Sequence, residues 1–207
     1  MSEMGSLRPR ETALTAVMTA ITAVVTMVTG SFVPFPATGG YLNLGDAMVM
    51  LTGLLFGARI GAFAGGVGSA LSDVLLGYGY YAPLTLFIKG TEGFLTGLIG
   101  NNRRFPLRVA GVIAGAVAML VGYFSVETPL VGMGAAIGEL VSINSIQVGT
   151  GAIISLLLTQ AVLKAYPDIR FFKQQPLSTR SGAIVVILAA IMLAAVVVVY
   201  LNAGISP

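Results

Sequence analysis

The chain has 207 residues, 56% of them hydrophobic and 9% charged, with a mean hydropathy of +0.93. Soluble domains carry roughly 25% charged residues, so this composition excludes soluble enzymes, nucleic-acid binders and disordered regions. No His and no Cys is present, which removes imidazole acid–base catalysis, thiol chemistry, haem, iron–sulfur clusters and ordinary zinc sites.

A membrane-spanning helix needs about 20 apolar residues, and the apolar runs predict seven. Span one covers about 11–30, after a short polar tail. Residues 31–44 hold two prolines and two glycines and read as a loop. Span two, about 45–57, is short for a crossing, and span three covers about 60–77. A Tyr78–Pro83 turn leads to span four, about 84–100. After a polar loop, span five covers about 108–125, and a loop from Glu127 to Gly134 precedes span six, about 135–165. Residues 166–181 are polar, and span seven covers about 182–201 without a charge. A cleaved leader over 1–30 is the competing reading of the first run, but no clear small-x-small site follows it. The expected architecture is an all-α polytopic membrane helix bundle: a six-span domain over 1–165, a cytoplasmic loop over 166–181 and an additional transmembrane helix within 182–207.

Basic residues orient such a bundle, because they stay on the cytoplasmic side. With the N-terminus inside, Arg8, Arg10, Arg59, Arg103, Arg104, Arg108, Lys164, Arg170, Lys173 and Arg180 all fall inside. Lys89 is the exception, and the C-terminus falls outside. The basic character is thereby a matter of topology, with no nucleic-acid partner.

The acids are less ordinary. Asp46 opens span two, Asp73 lies near the outer end of span three, Glu92 near the middle of span four, and Glu139 in the outer part of span six. Glu127 is placed in an outer loop. A charge at the bilayer centre costs about 2.5–3.5 kcal/mol or more, so such groups face a cavity or a partner. Thr85, Lys89, Glu92 and Thr96 share one face of span four. Either Lys89 and Glu92 simply neutralise each other, or this face is a wall of a ligand site. Gly61, Gly65, Ser69, Asp73 and Gly77 form a ridge of small residues, whose first reading is close helix packing. Asp73 on that ridge either binds ligand or ties helices together. In span six, Glu139, Ser142, Asn144, Ser145, Gln147 and Thr150 are too dispersed around an α-helix to line one pocket. Tyr78, Tyr80 and Tyr81 read as an interfacial aromatic belt or as a platform for a planar ligand. Ala16 and Ala20 form a small-x-x-x-small pair on span one, packing either inside this protein or against another.

The stretch Phe35-Pro-Ala-Thr-Gly-Gly-Tyr-Leu-Asn-Leu-Gly-Asp-Ala47 resembles the substrate-binding S components of energy-coupling factor (ECF) vitamin transporters. So do Gly65-Gly-Val-Gly-Ser-Ala-Leu-Ser-Asp73, Gly77-Tyr78, Tyr81-Ala-Pro83 and Ile88-Lys-Gly90, and the branch is the one for riboflavin or hydroxymethylpyrimidine-type ligands. The resemblance implies a six-span subunit that binds a vitamin or precursor from outside under the loop after span one. It implies docking of Ala16 and Ala20 on a membrane coupling protein that carries two cytoplasmic ATPases. The seventh span departs from the family's pattern.

The residues are consistent with this. Polar groups gather toward the outside, no phosphate-binding Gly-x-x-x-x-Gly-Lys-Ser/Thr loop is present, and Gly39 and Gly40 are candidate hinges of a lid over 31–44. Tyr41, Asn43, Asp46, Asp73, Tyr81, Lys89, Glu92, Glu139 and Asn144 are the expected substrate-binding residues. The expected ligand is a polar planar ring such as riboflavin, hydroxymethylpyrimidine or pyridoxine. No catalytic residue, metal or cofactor is expected. The competing class is an autonomous ion-coupled carrier whose buried acids are ion sites, but no duplicated half with matching broken helices is visible.

Overall fold

Short links force the apolar runs to alternate in direction, and each predicted run before residue 166 is helical in the computed structural model, which describes residues 9–32, 34–35, 40–102, 104–167 and 169. The helices are α1 (Pro9–Gly30), α2 (Gly45–Phe56), α3 (Ala58–Leu76), α4 (Ala82–Gly100) and α5 (Phe105–Val131). They are followed by α6 (Met133–Glu139), a π-helical turn (Leu140–Asn144) and α7 (Ser145–Ala165), which join into one long rod. The predicted seventh span and most of the predicted 166–181 loop lie outside the described residues. Between α1 and α2 two short strands, β1 (Pro34–Phe35) and β2 (Gly40–Tyr41), pair antiparallel.

Three of these helices, α1, α5 and the α6–α7 rod, are long and apolar enough to cross a membrane. Their outer faces carry apolar stripes at helical spacing: Val17, Ile21, Val24 and Val28 on α1, and Ile113, Val117 and Val121 on α5, all exposed. In water such stripes would be a liability; in hydrocarbon they are the expected surface. The protein is an all-α membrane helix bundle.

Glycine sets the helix spacing at the centre. α3 packs most extensively against α4. A methyl group at Gly61 would sit 2.6 Å from the Gly93 carbonyl oxygen and 2.8 Å from Gly53 Cα. Backbones of α2, α3 and α4 therefore meet with no side chain between them, as small residues allow. α3 ends at Gly77, whose left-handed φ of 89° turns the chain so that the Tyr78 N–H bonds the Asp73 carbonyl at 2.7 Å.

One boundary differs from the sequence expectation in a way that matters. The predicted loop from Glu127 to Gly134 is mostly helix: α5 runs through Pro129 to Val131 and stops at Gly132, which has φ 89°. Proline need not end a helix whose tertiary contacts compensate for the lost hydrogen bond. Val126 and Glu127 are 0% and 2% exposed, so packing favours continuation. Glu127 is consequently a buried helical residue and not an outer-loop one.

The links α2–α3 and α4–α5 share one end of the bundle with the start of α1 and the end of α7. Arg10, Arg59, Arg104, Arg108 and Lys164 gather there. Arg108 Nε donates to the Asn102 carbonyl at 2.9 Å, and its Nη1 donates to Gln160 Oε1 at 3.1 Å. The paired strands, the Tyr78–Tyr81 turn and the α5–α6 junction lie at the opposite end.

Candidate substrate-binding site

The site is built upward from the start of α2. Asn43 Oδ1 accepts the Gly45 N–H at 2.7 Å and so fixes where α2 begins. The Asn43 backbone N–H and its Nδ2 both donate to Gln147 Oε1 on α7, at 2.9 and 3.0 Å. Gln147 Nε2 then donates to Asp46 Oδ2 at 3.2 Å. The other Asp46 oxygen takes the Lys89 ammonium from α4, which also reaches Glu92 Oε2 at 3.0 Å. Asn43, Asp46, Lys89, Glu92 and Gln147 are all buried. A buried charge is tolerable only when it is paired and hydrogen-bonded, and one Lys shared between two carboxylates meets most of that need.

Above this network a cleft opens, with about 480 Å³ of empty space, its open mouth included. Each wall comes from a different element. Thr26 of α1 and Ser69 and Asp73 of α3 form one side, while Tyr41 and Asn43 cover it. Tyr81, Thr85 and Lys89 supply the α4 side, and Tyr123 and Glu127 the α5 side. Glu139, Asn144 and Gln147 complete it from the α6–α7 rod. Lys89 Nζ stands 5.7 Å from the Tyr123 ring centre, and the Tyr123 hydroxyl bonds Thr85 Oγ1 at 3.1 Å.

The π-helical turn corrects the expectation that the span-six polar groups cannot share a pocket. In an α-helix, residues five apart are about 140° apart around the axis. Here the Ser145 N–H bonds to the Leu140 carbonyl, one residue further back than in an α-helix. That extra residue turns Asn144 toward the side Glu139 faces, and Gln147 follows on α7. Ser142 and Ser145 instead bond back to the Gly138 and Leu140 carbonyls of their own rod, and Thr150 is exposed.

Tyr41 closes the cleft from above. Its hydroxyl donates to Asp73 Oδ1 at 2.6 Å, and its ring stacks at a tilt on Tyr78 with centroids 5.0 Å apart. Burial first, and then the neighbouring Asp73 carboxylate, push the Tyr41 hydroxyl well above the usual phenol range, so it remains a donor. A side chain at Gly30 would collide with the Tyr41 ring, so the end of α1 leaves that ring its seat. Leu44 N–H is held by Thr29 Oγ1 at 2.9 Å. The segment after α1 is thus tied to α1, α3 and α7. Gly39 lies outside the described residues.

Of the nine residues expected from sequence, Tyr41, Asn43, Asp73, Tyr81, Lys89, Glu139 and Asn144 line the cleft. Asp46 and Glu92 do not: both are 0% exposed and lie behind Lys89. Asp46 is therefore a partner of Lys89 and Gln147 and not a group at the mouth. Thr26, Ser69, Tyr123, Glu127 and Gln147 are lining residues that the sequence did not single out as such. Of these, the sequence marks Gln147 as a polar group of span six, Ser69 as a member of the small-residue ridge and Glu127 as an outer-loop acid. Ala16 and Ala20 sit on the exposed face of α1, outside the bundle's core.

The chain is a multi-pass membrane bundle with a polar cleft lined from several of its helices. The family model described as ECF-type riboflavin transporter, S component, matches residues 6–165. The chain belongs to that family, whose members are transporter components with a vitamin-type substrate and ECF partner modules in general. It is 46% identical over 123 residues to a protein of Pyrococcus woesei described as an uncharacterized protein in gap 3'region, covering 59% of this chain and 82% of that one. It is 30% identical over 138 residues to the thiamine precursor transporter HmpT of Lactococcus lactis subsp. cremoris (strain MG1363), covering 65% of this chain and 79% of that one.

Proposed function

We propose that this chain is the substrate-specific membrane component of an ATP-dependent ECF-type importer, with residues 1–165 as its binding unit. It receives a planar vitamin or vitamin precursor from outside in the cleft between α1, α3, α4, α5 and α7. It then docks through the Ala16–Ala20 face of α1 on a membrane coupling protein with two cytoplasmic ATPases. The N-terminus and the basic end of the bundle face the cytoplasm, and the cleft faces out.

The observation that carries this reading is a set of buried polar atoms without hydrogen-bond partners that line one cleft. Thr26 Oγ1, Ser69 Oγ, Asp73 Oδ2, Glu127 Oε2 and Asn144 Nδ2 come from three helices, α1, α3 and α5, and the π-helical turn's end. Each unsatisfied group costs about 1–3 kcal/mol, and a ligand with polar edges offsets that cost. The riboflavin transporter family and the thiamine precursor transporter among its relatives both support a heteroaromatic ring as that ligand.

Reconstitution tests the reading. The chain alone in proteoliposomes should bind labelled riboflavin or aminopyrimidine without accumulating it. Accumulation should require the coupling protein, the ATPases and ATP. Ion-gradient-driven accumulation by the chain alone would replace this reading with that of an autonomous carrier.

A further inference from the structure

Thr85 stands between two walls of the cleft and its cover. It is buried in the first turn of α4, where its N–H bonds the Tyr81 carbonyl at 2.9 Å. Its Oγ1 accepts the Tyr123 hydroxyl of α5 at 3.1 Å. Its own hydroxyl hydrogen-bonds the Asp73 carboxylate of α3. Tyr41, Asp73, Thr85 and Tyr123 all line the cleft.

Hydroxyl chemistry fixes the direction of this chain. A carboxylate only accepts, and a threonine hydroxyl has one proton to give. Once Thr85 gives that proton to Asp73, it can hold Tyr123 only as an acceptor, and Tyr123 does donate to it. The chain from Tyr123 through Thr85 to Asp73 is therefore committed from end to end. Hydrogen bonds linked in this way strengthen one another inside a protein.

Asp73 is where the chain meets the cover. Its Oδ1 accepts the Tyr41 hydroxyl at 2.6 Å, and its backbone carbonyl accepts the Tyr78 N–H at 2.7 Å. Tyr78 in turn carries the Tyr41 ring, with centroids 5.0 Å apart. Among the described residues, Tyr41 and Thr85 are the side chains that hydrogen-bond this carboxylate. One belongs to the cover and the other to the α4 wall.

We infer that Thr85 is a positioning residue for closure of the cleft: held by Tyr123, its hydroxyl orients the Asp73 carboxylate that receives Tyr41. Closure is then set by the α4–α5 wall as well as by the cover itself. The inference rests on the substrate-binding reading only in taking this cleft as the site that is covered.

The test needs no ligand. The chain has no Cys, so Ser69→Cys places a single thiol in the cleft wall, at a position 2% exposed. The rate at which a maleimide modifies that thiol in detergent reports how often the cleft opens. On this Ser69→Cys parent, Thr85→Val should speed labelling at least about tenfold, the order expected when a hydrogen bond to a charged group is lost. Thr85→Ser keeps the hydroxyl and should stay within about threefold of the parent. Tyr41→Phe should speed labelling to a similar extent as Thr85→Val. Combining the two should add less than about threefold, because both release one latch. Should Thr85→Val fail to fold, Tyr123→Phe removes the donor that holds Thr85 and should speed labelling at least about threefold. Labelling at the parent's rate in a folded Thr85→Val or Tyr123→Phe would overturn the inference. So would Thr85→Ser labelling as fast as Thr85→Val, or effects of Thr85→Val and Tyr41→Phe that multiply in full. None of these outcomes touches the substrate-binding reading, which fails separately if the chain binds neither riboflavin nor aminopyrimidine.

Discussion

The Tyr41 hydroxyl donates to Asp73 Oδ1 at 2.6 Å, joining the segment behind α1 to the outer end of α3 across the mouth of the cleft. The contact closes the space above Lys89 without filling it. The second Asp73 oxygen takes no part in this contact, and Asp73 lines the cleft. Tyr41→Phe keeps the ring on Tyr78 and Gly30 and removes only the bond. A hydrogen bond to a charged group is worth about 1.5–3 kcal/mol, or roughly 10- to 100-fold at 1.4 kcal/mol per decade. Stopped-flow release of a bound ring should accelerate by that order, with association little changed. An unaltered release rate would show that this bond does not hold the cleft shut.

Lys89 is expected to matter first for stability. Replacing one partner of a buried ion pair costs about 3–5 kcal/mol because the other charge is stranded. Lys89→Met strands two, Asp46 and Glu92. The variant should unfold at markedly lower temperature in detergent, and adding Asp46→Asn and Glu92→Gln should restore part of the loss. A Lys89→Met protein as stable as the parent would mean that the two carboxylates are neutral in the folded chain.

The glycine junction makes a sharper steric forecast. Gly61→Val places its Cβ against the Gly93 carbonyl and Gly53 Cα. Backbone atoms cannot swing aside as a side chain does, so α2, α3 and α4 must part. Overpacking of this kind costs about 1–3 kcal/mol, and a loss of thermal stability with weakened ligand binding is the expected result. Val at Gly79, where an added Cβ meets nothing within 4 Å, is the control.

These forecasts divide along the line between what sequence carries and what it does not. Lys89 and Glu92, three apart on one helix, announce a polar face through spacing alone. That Asp46 supplies Lys89's second carboxylate depends on how α2 crosses α4, for which spacing holds no record. The ridge through Gly61 and Gly65 reads directly as close packing. Glu127 reads as an outer-loop acid in the sequence, and only burial around it shows that the helix runs on through Pro129. The gathering of Glu139, Asn144 and Gln147 was hidden for another reason. A π-helical turn shifts the register by one residue without a residue type that marks it, so α-helical spacing scatters groups that the structure aligns.

Gln147 joins the cover to the charged network, and its loss should therefore reach both. Its one carbonyl oxygen accepts two Asn43 donors while its amide holds Asp46. Gln147→Leu keeps the volume and leaves the Asn43 N–H groups and one Asp46 oxygen unsatisfied, at about 1–3 kcal/mol for each buried group. Asn43→Ala breaks the same join from the other side. Each single variant should weaken ligand binding by roughly one to two decades. The double variant should cost clearly less than the sum of the two, since both remove one contact. Additive losses in that cycle would show that the two residues act separately.

The outer face of α1 gives the last forecast. Ala13, Ala16 and Ala20 are exposed, and the neighbouring Val17, Ile21 and Val24 extend an apolar surface around them. The cleft-facing side of the same helix carries Thr22 and Thr26, both buried. A large side chain at Ala16 or Ala20 thus points away from the bundle's core and from the cleft. Ala16→Trp and Ala20→Trp should leave both the melting temperature and ligand affinity close to those of the parent. If α1 is the surface that meets the coupling protein, indole rings there hold the two helices apart, because small residues are what permit close approach. ATP-driven uptake in proteoliposomes should then fall by at least about tenfold, the equivalent of roughly 1.4 kcal/mol in docking free energy, and co-purification of the coupling protein should fall with it. Undiminished uptake by both variants would move the docking surface to another helix.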